Sequence, residues 1–472
     1  MYNIAVIWAI GYFFKYIATL AGKDLKKSMG KYSKNDIIKL CTENNVRFVR
    51  LQFTDILGTL KNVAIPVSQL QRVLDHGCGF DGSSIEGFVR IQESDQQLIP
   101  DLDSFVVFPW ASSSGRVARL ICDVYNIDGT PFEGDPRYRL RRVLAEAAEM
   151  GFTFSVGPEC EFFLFQTDSE GKPTTSTVDN ASYFDLGPID HGEEVRRKIC
   201  IALEEMGYEV EASHHECAAG QHEIDFKYGE ALHVADNIMT FKLAVRTIAQ
   251  ANNLHATFMP KPVYGIAGSG MHINMSLSRN GRNAFADEND KNGLSAEAYG
   301  FIAGLFEHIN GIAALTNPLV NSYKRLVPGF EAPCYIAWSA HNRSPLIRVP
   351  ATSGREGTRV ELRCPDPCAN PYLALAALLA AGLDGIRRGL TPPAPVDANI
   401  YELTEEQRAE MGLLSLPSSL HDAVVKMNGD SLVRRVLGEH ITQRYTDAKL
   451  QDWVDYRTAV TDWEIKRYFT SC

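Results

Sequence analysis

The sequence predicts an α+β protein with two or three domains. At 472 residues the chain is long enough to bury that many cores, and its 45% hydrophobic and 22% charged residues are ordinary for a globular protein. Short strand-like runs and capped helices recur along the whole sequence. A segment rich in glycine and proline at 126–136 separates a first α+β unit from the rest. We therefore expect a small domain at 30–130 and a larger one at 131–472.

The expected elements of the first unit begin with a helix. Ser33 is a candidate N-cap for an amphipathic helix over 34–43. Residues 46–66 then predict two strands around a turn at Gly58. The unit continues with a short helix near 67–75 and with strands at 103–110 and 115–125.

The second part predicts both strands and helices. Asp135-Pro136 combines an N-cap with a first-turn proline, which predicts a helix to Met150, and Asn370-Pro371 predicts another in the same way. Further strands are expected at 151–165, on both sides of Gly220 within 208–228, after the glycine loop 265–270 and at 358–364. Further helices are expected at 193–206, 230–252, 296–315 and through most of 403–472.

Residues 1–29 form a largely apolar extension. A signal peptide needs a basic start before its apolar core, which this segment lacks. The apolar run at 4–14 is short for a membrane span. We interpret this segment as an artefactual extension, with the true start at Met29, in preference to a membrane anchor.

Charge and cysteine content narrow the classes of function. A net charge of -11 argues against a nucleic-acid binder, although a local site can still attract an anionic substrate. The 10 cysteines include no CxxC pair, which predicts reduced thiols in a cytoplasmic protein. We expect neither nucleic acid nor a membrane as a partner.

Two glutamates stand out in the apolar run GPECEFFLF at 157–165. The composition favours a strand, and residues two apart in a strand face the same way. Glu159 and Glu161 would then point together, and their repulsion is unfavourable unless a cation or a shared proton relieves it. This stretch therefore predicts a metal site.

Other strand-like segments carry similar groups. The candidates are His214 with Glu216, Glu223 with Asp225, His272, and the alternating set Arg359, Glu361 and Arg363. Taken singly, a strand glutamate is most often exposed to solvent and a lone histidine most often packs in a core. Taken together, ligands that are mostly oxygen atoms favour Mg²⁺ or Mn²⁺ over zinc.

A group of arginines indicates which kind of reaction the metal would support. Arg325, Arg343, Arg348, Arg355, Arg359 and Arg363 lie among proline, glycine and aromatic residues. Arginine matches carboxylate and phosphate geometry, so metals with arginines indicate phosphoryl transfer from a nucleotide. The sequence has no GxxxxGK[ST] loop, which excludes a P-loop enzyme.

From about Val46 onward the chain resembles type I glutamine synthetases of the short archaeal and Gram-positive form. The matching stretches are FTDILG, FDGSSIEGF, GPECEFFLF, EASHHECAAGQHEID, GSGMH, PGFEAP, HNRSPLIRVP and RVELRCPDPCANPYL, in the family's order. The resemblance implies a small N-terminal β-grasp-like domain and a catalytic domain with a curved antiparallel sheet and flanking helices. It implies ATP-dependent ligation of ammonia to L-glutamate through γ-glutamyl phosphate, which yields L-glutamine, ADP and phosphate.

The resemblance also implies a role for each matching residue. Glu161, Glu216 and Glu223 would hold the metal near glutamate, and Glu159, His272 and Glu361 the metal at the ATP phosphates, with two or three Mg²⁺ or Mn²⁺ per site. Arg325, Arg343, Arg363 and the backbone at Gly268 would bind glutamate, and Ser276, Arg343, Arg348 and Arg355 would bind ATP or the transferred phosphoryl group. Arg343 would also be catalytic.

Three further positions are implied by the resemblance. Glu331 would be a mobile flap acid, and Asp81 would reach a neighbouring subunit's site to take a proton from ammonium. Arg90 would be regulatory. The implied assembly is a dodecamer of two hexameric rings, and small regulatory proteins or metabolites are expected as further partners.

The sequence departs from the family pattern at a few points. Ala267 replaces the usual asparagine of the glutamate site, and the loop at 350–358 is one residue longer than usual. Tyr401 lacks the surrounding motif of adenylylated members, so we predict no such modification. The intact FDGSSIEGF favours ammonium over a polyamine or another amine as substrate, and the intact metal ligands argue against a non-catalytic relative.

Overall fold

The computed structural model describes residues 31–471, apart from 86, 88–94, 111–113, 331, 341, 343 and 353. The expected N-terminal extension and the predicted site residues Arg90, Glu331 and Arg343 lie outside the described residues. The chain divides into two compact units. Among the described residues, the first comprises those from 31 to 52, Asn62–Cys78 and Leu98–Cys122, and the second comprises Phe53–Lys61, those between Gly79 and Gln97, and those from Asp123 onward.

The earlier part of the chain builds a six-stranded sheet. Its strands are β1 (Val46–Thr54), β2 (Leu60–Pro66), β3 (Cys78–Asp81), β4 (Asp95–Pro100), β5 (Val106–Val107) and β6 (Arg116–Asn126), in the order β2-β1-β6-β4-β3, with β5 against β6. Helix α1 (Lys34–Glu43) begins at the expected N-cap, since Ser33 forms a capping box with Asp36. A shorter helix, α2 (Leu70–His76), follows β2.

An eleven-stranded sheet organises the second unit. Its strands are β7 (Thr153–Thr167), β8 (Pro173–Thr177), β9 (Val210–His215), β10 (Gln221–Phe226), β11 (Gly229–Glu230), β12 (Leu254–Thr257), β13 (Met271–Arg279), β14 (Arg282–Asn283), β15 (Trp338–Ser339), β16 (Ile347–Arg348) and β17 (Val360–Leu362). The path β15-β16-β17-β13-β7-β10-β9 is antiparallel except for the β15–β16 pair. The 15-residue strand β7 is central, with β13 on one side and β10 on the other.

Helices pack against this sheet and against each other. They are α3 (Pro136–Glu149), α4 (Glu193–Glu205), α5 (Ala231–Ala251), α6 (Ala296–Thr316), α7 (Ser322–Arg325), α8 (Pro371–Arg388), α9 (Glu405–Glu410), α10 (Leu420–Gly429), α11 (Ser431–Thr458, kinked at Gly438) and α12 (Asp462–Tyr468). Asp135 and Asn370 cap α3 and α8, as the sequence predicts. No helix in the described part of the chain is long and apolar enough to cross a membrane.

One face of the large sheet is buried by α5. Phe241 of α5 contacts Phe162 of β7 and Phe226 of β10, with ring centroids 6.3 and 5.8 Å apart. Because neighbouring side chains in a strand alternate between faces, burying Phe162 turns Glu161 toward the opposite face. The aromatic core therefore fixes which face of β7 carries the carboxylates.

Two predicted strands are shorter than expected. In place of a strand over 103–110, the chain forms a 3-10 turn at Leu102–Ser104 and then only β5. The Asp101 side chain accepts a hydrogen bond from the Asp103 backbone nitrogen, a local bond that favours a turn over a ladder. The strand expected at 358–364 is confined to β17, and Arg359 and Arg363 flank it.

Candidate active site

The alignment of three strands brings the acidic residues together. On β7, Glu161 lies directly opposite Glu223 of β10. Glu159 lies opposite His272 of β13 on one side and opposite Asp225 of β10 on the other. These side chains therefore converge on one face of the sheet from segments that are far apart in sequence.

The first group consists of Glu159, His272 and Glu361, whose ligand atoms lie within 4.8 Å of one another. His272 Nδ1 lies 3.2 Å from Glu159 Oε2 and 3.5 Å from Glu361 Oε1. The fully buried Glu361 also contacts two arginines, Arg348 at 2.7 Å and Arg363. This group can offer two carboxylates and one imidazole to a cation.

The second group contains Glu161, Glu216 and Glu223. His214 bridges the latter two, with Nδ1 3.4 Å from Glu216 Oε1 and Nε2 3.5 Å from Glu223 Oε1. Glu161 Oε2 accepts hydrogen bonds from Gln221 Nε2 at 2.6 Å and from the backbone nitrogen of Gly270 at 2.9 Å. Glu161 is therefore oriented by neutral donors, while the nearby charges of Arg325 and Arg363 offset only part of the effect of burial and of Glu216 on its pKa.

Burial and mutual repulsion change the proton affinity of these acids. Burial, with the nearby charge of Glu216, raises the pKa of Glu161. Burial and repulsion from Asp225 and Glu161 raise the pKa of Glu223. Burial would also raise the pKa of Glu159, but hydrogen bonding to His272 lowers it below its ordinary value. A bound cation would therefore stabilise the second group more than the first.

The donor set fits divalent ions such as Mg²⁺ or Mn²⁺. The two groups supply five glutamate carboxylates and one imidazole, and hard cations prefer oxygen ligands. The raised pKa values of Glu161 and Glu223 reflect negative charge that a bound cation would offset.

Three arginines lie beside the acids. Arg325 is buried and donates hydrogen bonds to the carbonyl oxygens of Cys364 at 2.8 Å and of Arg363 at 3.2 Å. A cavity of about 620 Å³ is lined by Arg325, Arg348 and Arg363 together with Glu159, Glu161, Glu216, Glu223, His272 and Gly268. The cavity is thus lined by both positive and negative groups. The arginines can bind an anionic substrate, and the acids can bind metal ions.

Glycines let the loop at 265–270 approach the cavity. A Cβ atom on Gly270 would lie 2.5 Å from Arg325 Nη2 and 2.9 Å from His272 Nε2. A Cβ atom on Gly268 would lie 2.1 Å from the carbonyl oxygen of Pro260. Any side chain at these positions would therefore displace the arginine, the histidine or the backbone.

A second cavity, of about 410 Å³, adjoins the first. Ser276, Asn274, Glu211 and Arg359 line it, and Glu159 and Asp225 line both cavities. The two cavities therefore share these two acids as part of their walls.

Comparison with known proteins identifies the family. The model of the glutamine synthetase catalytic domain matches residues 133–468, and that of the glutamine synthetase beta-Grasp domain matches residues 45–127. The chain belongs to the glutamine synthetase family. This match confirms the predicted enzyme family and the predicted β-grasp and catalytic architecture.

Individual glutamine synthetases are similar over most of their length. The glutamine synthetase of Clostridium saccharobutylicum is 64% identical over 440 residues, which cover 93% of this chain and 99% of that protein. That of Staphylococcus aureus strain MW2 is 58% identical over 438 residues, covering 93% and 98%.

Solved structures agree with the fold. The Plasmodium falciparum glutamine synthetase superposes with a TM-score of 0.83 at 25% identity, covering 93% of this chain and 99% of that one. An ADP complex of GmaS gives a TM-score of 0.83 at 33% identity, covering 92% and 99%.

Most described site residues predicted from the glutamine synthetase resemblance lie together, and two lie apart. Arg355 is exposed on a 3-10 turn, pairs with Glu288 at 3.3 Å and lines neither cavity. Asp81 is exposed at the end of β3 and lines neither cavity. A hydrogen bond from Ser83 lowers the pKa of the Asp81 carboxyl below its ordinary value, which keeps it ionised at neutral pH.

Sequence reasoning missed two polar residues that orient the acids. Gln221 Nε2 donates a hydrogen bond to Glu161 Oε2, and Asn274 Nδ2 donates one to Glu159 Oε1 at 2.8 Å. Each lies two positions from a predicted ligand on the same strand, Gln221 before Glu223 and Asn274 after His272. Extending the two-residue alternation by one step would have found both.

Proposed function

We propose that this protein catalyses the ATP-dependent ligation of ammonia to L-glutamate, which yields L-glutamine, ADP and phosphate. The observation that carries the proposal is the shared cavity, in which two acid groups face Arg325, Arg348 and Arg363. The family membership and the extensive identity to known glutamine synthetases support the same reaction.

The proposed division of labour follows from the two acid groups. Glu159, His272 and Glu361 hold a Mg²⁺ or Mn²⁺ ion on the ATP side, and Glu161, Glu216 and Glu223 hold another on the glutamate side. When bound, these ions neutralise charge on the phosphates and on the transition state. The solved ADP complex of a 33% identical relative supports nucleotide binding in this fold.

Arginines then position the substrates. Arg325 and Arg363 bind the carboxylates of glutamate with the backbone at Gly268, while Arg348 and Ser276 bind the phosphates. Arg355 assists only if it leaves its pairing with Glu288. Phosphorylating the γ-carboxylate creates a leaving group that ammonia can displace.

Ammonium must lose a proton before it attacks. The exposed, ionised Asp81 is proposed to accept that proton in a neighbouring subunit, which requires an oligomer. The sequence resemblance alone supports a dodecamer, the flap role of Glu331, phosphoryl binding by Arg343 and regulation through Arg90.

Two further points concern the protein's state in the cell. The Tyr401 hydroxyl donates a hydrogen bond to the carbonyl oxygen of Ala332 at 2.6 Å, which supports the absence of adenylylation there. The scattered cysteines support a cytoplasmic location.

The direct test measures glutamine and ADP with purified protein. We expect equal amounts of both, and only when glutamate, ammonium, ATP and Mg²⁺ or Mn²⁺ are present together. Putrescine or methylamine in place of ammonium serves as the comparison. Formation of a γ-glutamyl amine without any glutamine from ammonium would contradict the proposal.

A further inference from the structure

One buried cation beside the larger cavity has no assigned role. Lys261 is 8% exposed and lies between Pro260 and Pro262, just before the glycine loop at 265–270. A proline restricts the backbone of the residue that precedes it. Asn321 binds the same backbone twice, since its Oδ1 accepts a hydrogen bond from the Lys261 nitrogen at 2.7 Å and its Nδ2 donates one to the Lys261 carbonyl oxygen at 3.0 Å. The point from which the Lys261 side chain extends is therefore fixed.

The Lys261 ammonium group contacts two segments that border the cavity. Its Nζ donates a hydrogen bond to the carbonyl oxygen of Ile266 in the glycine loop. The same atom lies 3.8 Å from the centroid of the Phe330 ring, and Phe330 lines the cavity. An ammonium group is attracted both to a carbonyl oxygen and to the face of an aromatic ring. Lys261 thus joins the glycine loop to Phe330.

The stem of Lys261 also packs beside Gly268. A Cβ atom on Gly268 would lie 3.2 Å from Lys261 Cδ, so the two residues are already close. The Gly268 carbonyl oxygen accepts a hydrogen bond from Gln221 Nε2 at 3.2 Å. Burial and the nearby charge of Arg325 lower the pKa of the Lys261 ammonium group. Lys261 therefore lies next to two of the groups that are proposed to bind glutamate, the Gly268 backbone and Arg325.

We propose that Lys261 is a positioning residue for glutamate binding. Its ammonium group holds the Ile266 carbonyl oxygen and the Phe330 ring together, and this contact fixes the place of the Gly268 backbone in the cavity. Lys261 itself lines neither cavity, so it acts through these groups and does not touch the substrate. The inference rests on the proposed function, which assigns glutamate to this side of the site.

Steady-state kinetics of glutamine formation separates the effects on the two substrates. Lys261→Met keeps the long aliphatic stem and removes the ammonium group. We expect the KM for glutamate to rise at least about tenfold, while the KM for ATP and kcat change by less than about threefold. A residue that only stabilised the fold would not change one KM and leave the other.

Lys324→Met is the matched control. Lys324 Nζ also lies over an aromatic ring, 5.0 Å from the centroid of Tyr456, but Lys324 is exposed and lines neither cavity. Its loss removes the same chemical group from the same kind of contact. The KM for glutamate in this variant should equal that of the wild type.

Hydrogen exchange measured by mass spectrometry tests the contact without any substrate. Lys261→Met and Phe330→Leu each remove one partner of the contact between the ammonium group and the ring. Both variants should therefore exchange the backbone amides of residues 266–271 at least about threefold faster than the wild type. Lys324→Met should exchange them at the wild-type rate.

Each result supports or overturns the inference. A smaller rise in the KM for glutamate in Lys261→Met, or an equal rise in the KM for ATP, would overturn it. If Lys261→Met does not fold, Phe330→Leu decides, and unchanged exchange at 266–271 in that variant would overturn the inference. A wild-type protein that forms no glutamine from ammonium would instead overturn the proposed function, and the exchange rates would still test the contact.

Discussion

Two clusters of acids and histidines lie on opposite faces of the β9–β10 hairpin. Glu223 and Asp225 face the cavity, while His222, between Gln221 and Glu223 on β10, faces the other way toward Phe162. On that rear face, Asp179, Asp190, His215 and His222 bring their ligand atoms within 4.8 Å of one another, as closely as the front group of Glu159, His272 and Glu361 does. Distance alone would rate both clusters as metal sites.

The rear cluster contains its own cation. Arg196 Nη1 lies 2.6 Å from Asp190 Oδ2 and 3.0 Å from His222 Nδ1. His215 Nε2 lies 3.1 Å from Asp179 Oδ1, which also accepts a hydrogen bond from the backbone nitrogen of Gly220. A metal ion would have to displace the guanidinium, so the rear cluster is a structural ion-pair network.

The pKa directions of Asp179 on the rear face and of the acids on β10 differ in the same way. On the rear face, burial would raise the pKa of Asp179, but hydrogen bonds from His215 and Gly220 lower it. On the front face, burial and like charge raise the pKa values of Glu223 and Asp225. The balance of charge, more than the identity of the residues, separates a metal site from a structural network.

The largest expected effect comes from removing the rear cation. Arg196→Met leaves Asp190 buried and unpaired, so the free energy of unfolding should fall by about 3–5 kcal/mol. The activity of the protein that remains folded should change much less. Thermal and denaturant unfolding measure the first quantity, and an assay below the transition measures the second.

Arg197→Met is the matched control for Arg196→Met. Arg197 is exposed on the same helix and forms surface ion pairs with Glu193 and Glu194. Its loss should change stability by no more than about 0.5 kcal/mol. If Arg196→Met abolished activity without lowering stability, the rear cluster would be part of the catalytic site.

A substitution among the acids on the cavity side of the sheet should instead lower activity more than stability. Glu361→Gln keeps the shape and one acceptor for Arg348 or Arg363 but removes a charge from the proposed ATP-side metal group. We expect kcat/KM to fall about 10²–10³-fold, while the free energy of unfolding falls by less than about 2 kcal/mol.

Glu307→Gln controls for loss of an acid that pairs with an arginine outside the site, since Glu307 lies 3.7 Å from Arg388. It should leave kcat/KM unchanged. An equal loss of stability and activity in Glu361→Gln would assign Glu361 a structural role like that of the rear cluster.

His308, which belongs to neither cluster, allows a smaller test of how neighbouring acids change the proton affinity of a side chain. His308 on α6 lies 2.8 Å from Asp430 and 3.3 Å from Asp384. Burial would lower the pKa of His308, but the hydrogen bonds and charges of these acids raise it above its ordinary value. The imidazolium therefore contributes stability below about pH 6.5, and this contribution is lost as pH rises through the raised pKa.

His308→Asn should accordingly lower stability by about 1–2 kcal/mol at pH 6 and by less at pH 9. Unfolding curves across this range measure the difference. His421→Asn, at an exposed position on α10, should show no such trend. A penalty for His308→Asn that grows with pH would mean that His308 is neutral in the folded protein.

Local signals in the sequence predicted most elements. Ser33, Asp135 and Asn370 mark helix starts because a cap acts over only a few residues. The alternation of side chains likewise placed Glu159 with Glu161 on one face. These predictions needed no knowledge of distant segments.

The features of the site that the sequence did not predict depend on contacts between distant parts of the chain. Only the alignment of β7 with β10 and β13 reveals that Asp225 and His272 flank the same glutamate. The sequence likewise could not show that Arg196 pairs with Asp190 in the rear cluster, or that Arg355 pairs with Glu288. Ion pairs between separate segments have no local sequence pattern.

The position of β7 between two partners also limits how the length of the chain can change. A single residue inserted between Glu159 and Glu161 would turn one carboxylate toward the buried face and shift every later side chain with it. The turn at the end of the same strand, where Asp168 accepts hydrogen bonds from Glu170 and Lys172, is exposed and can lengthen freely. Insertions and deletions are thus expected in that turn, while the interval between the two glutamates stays constant.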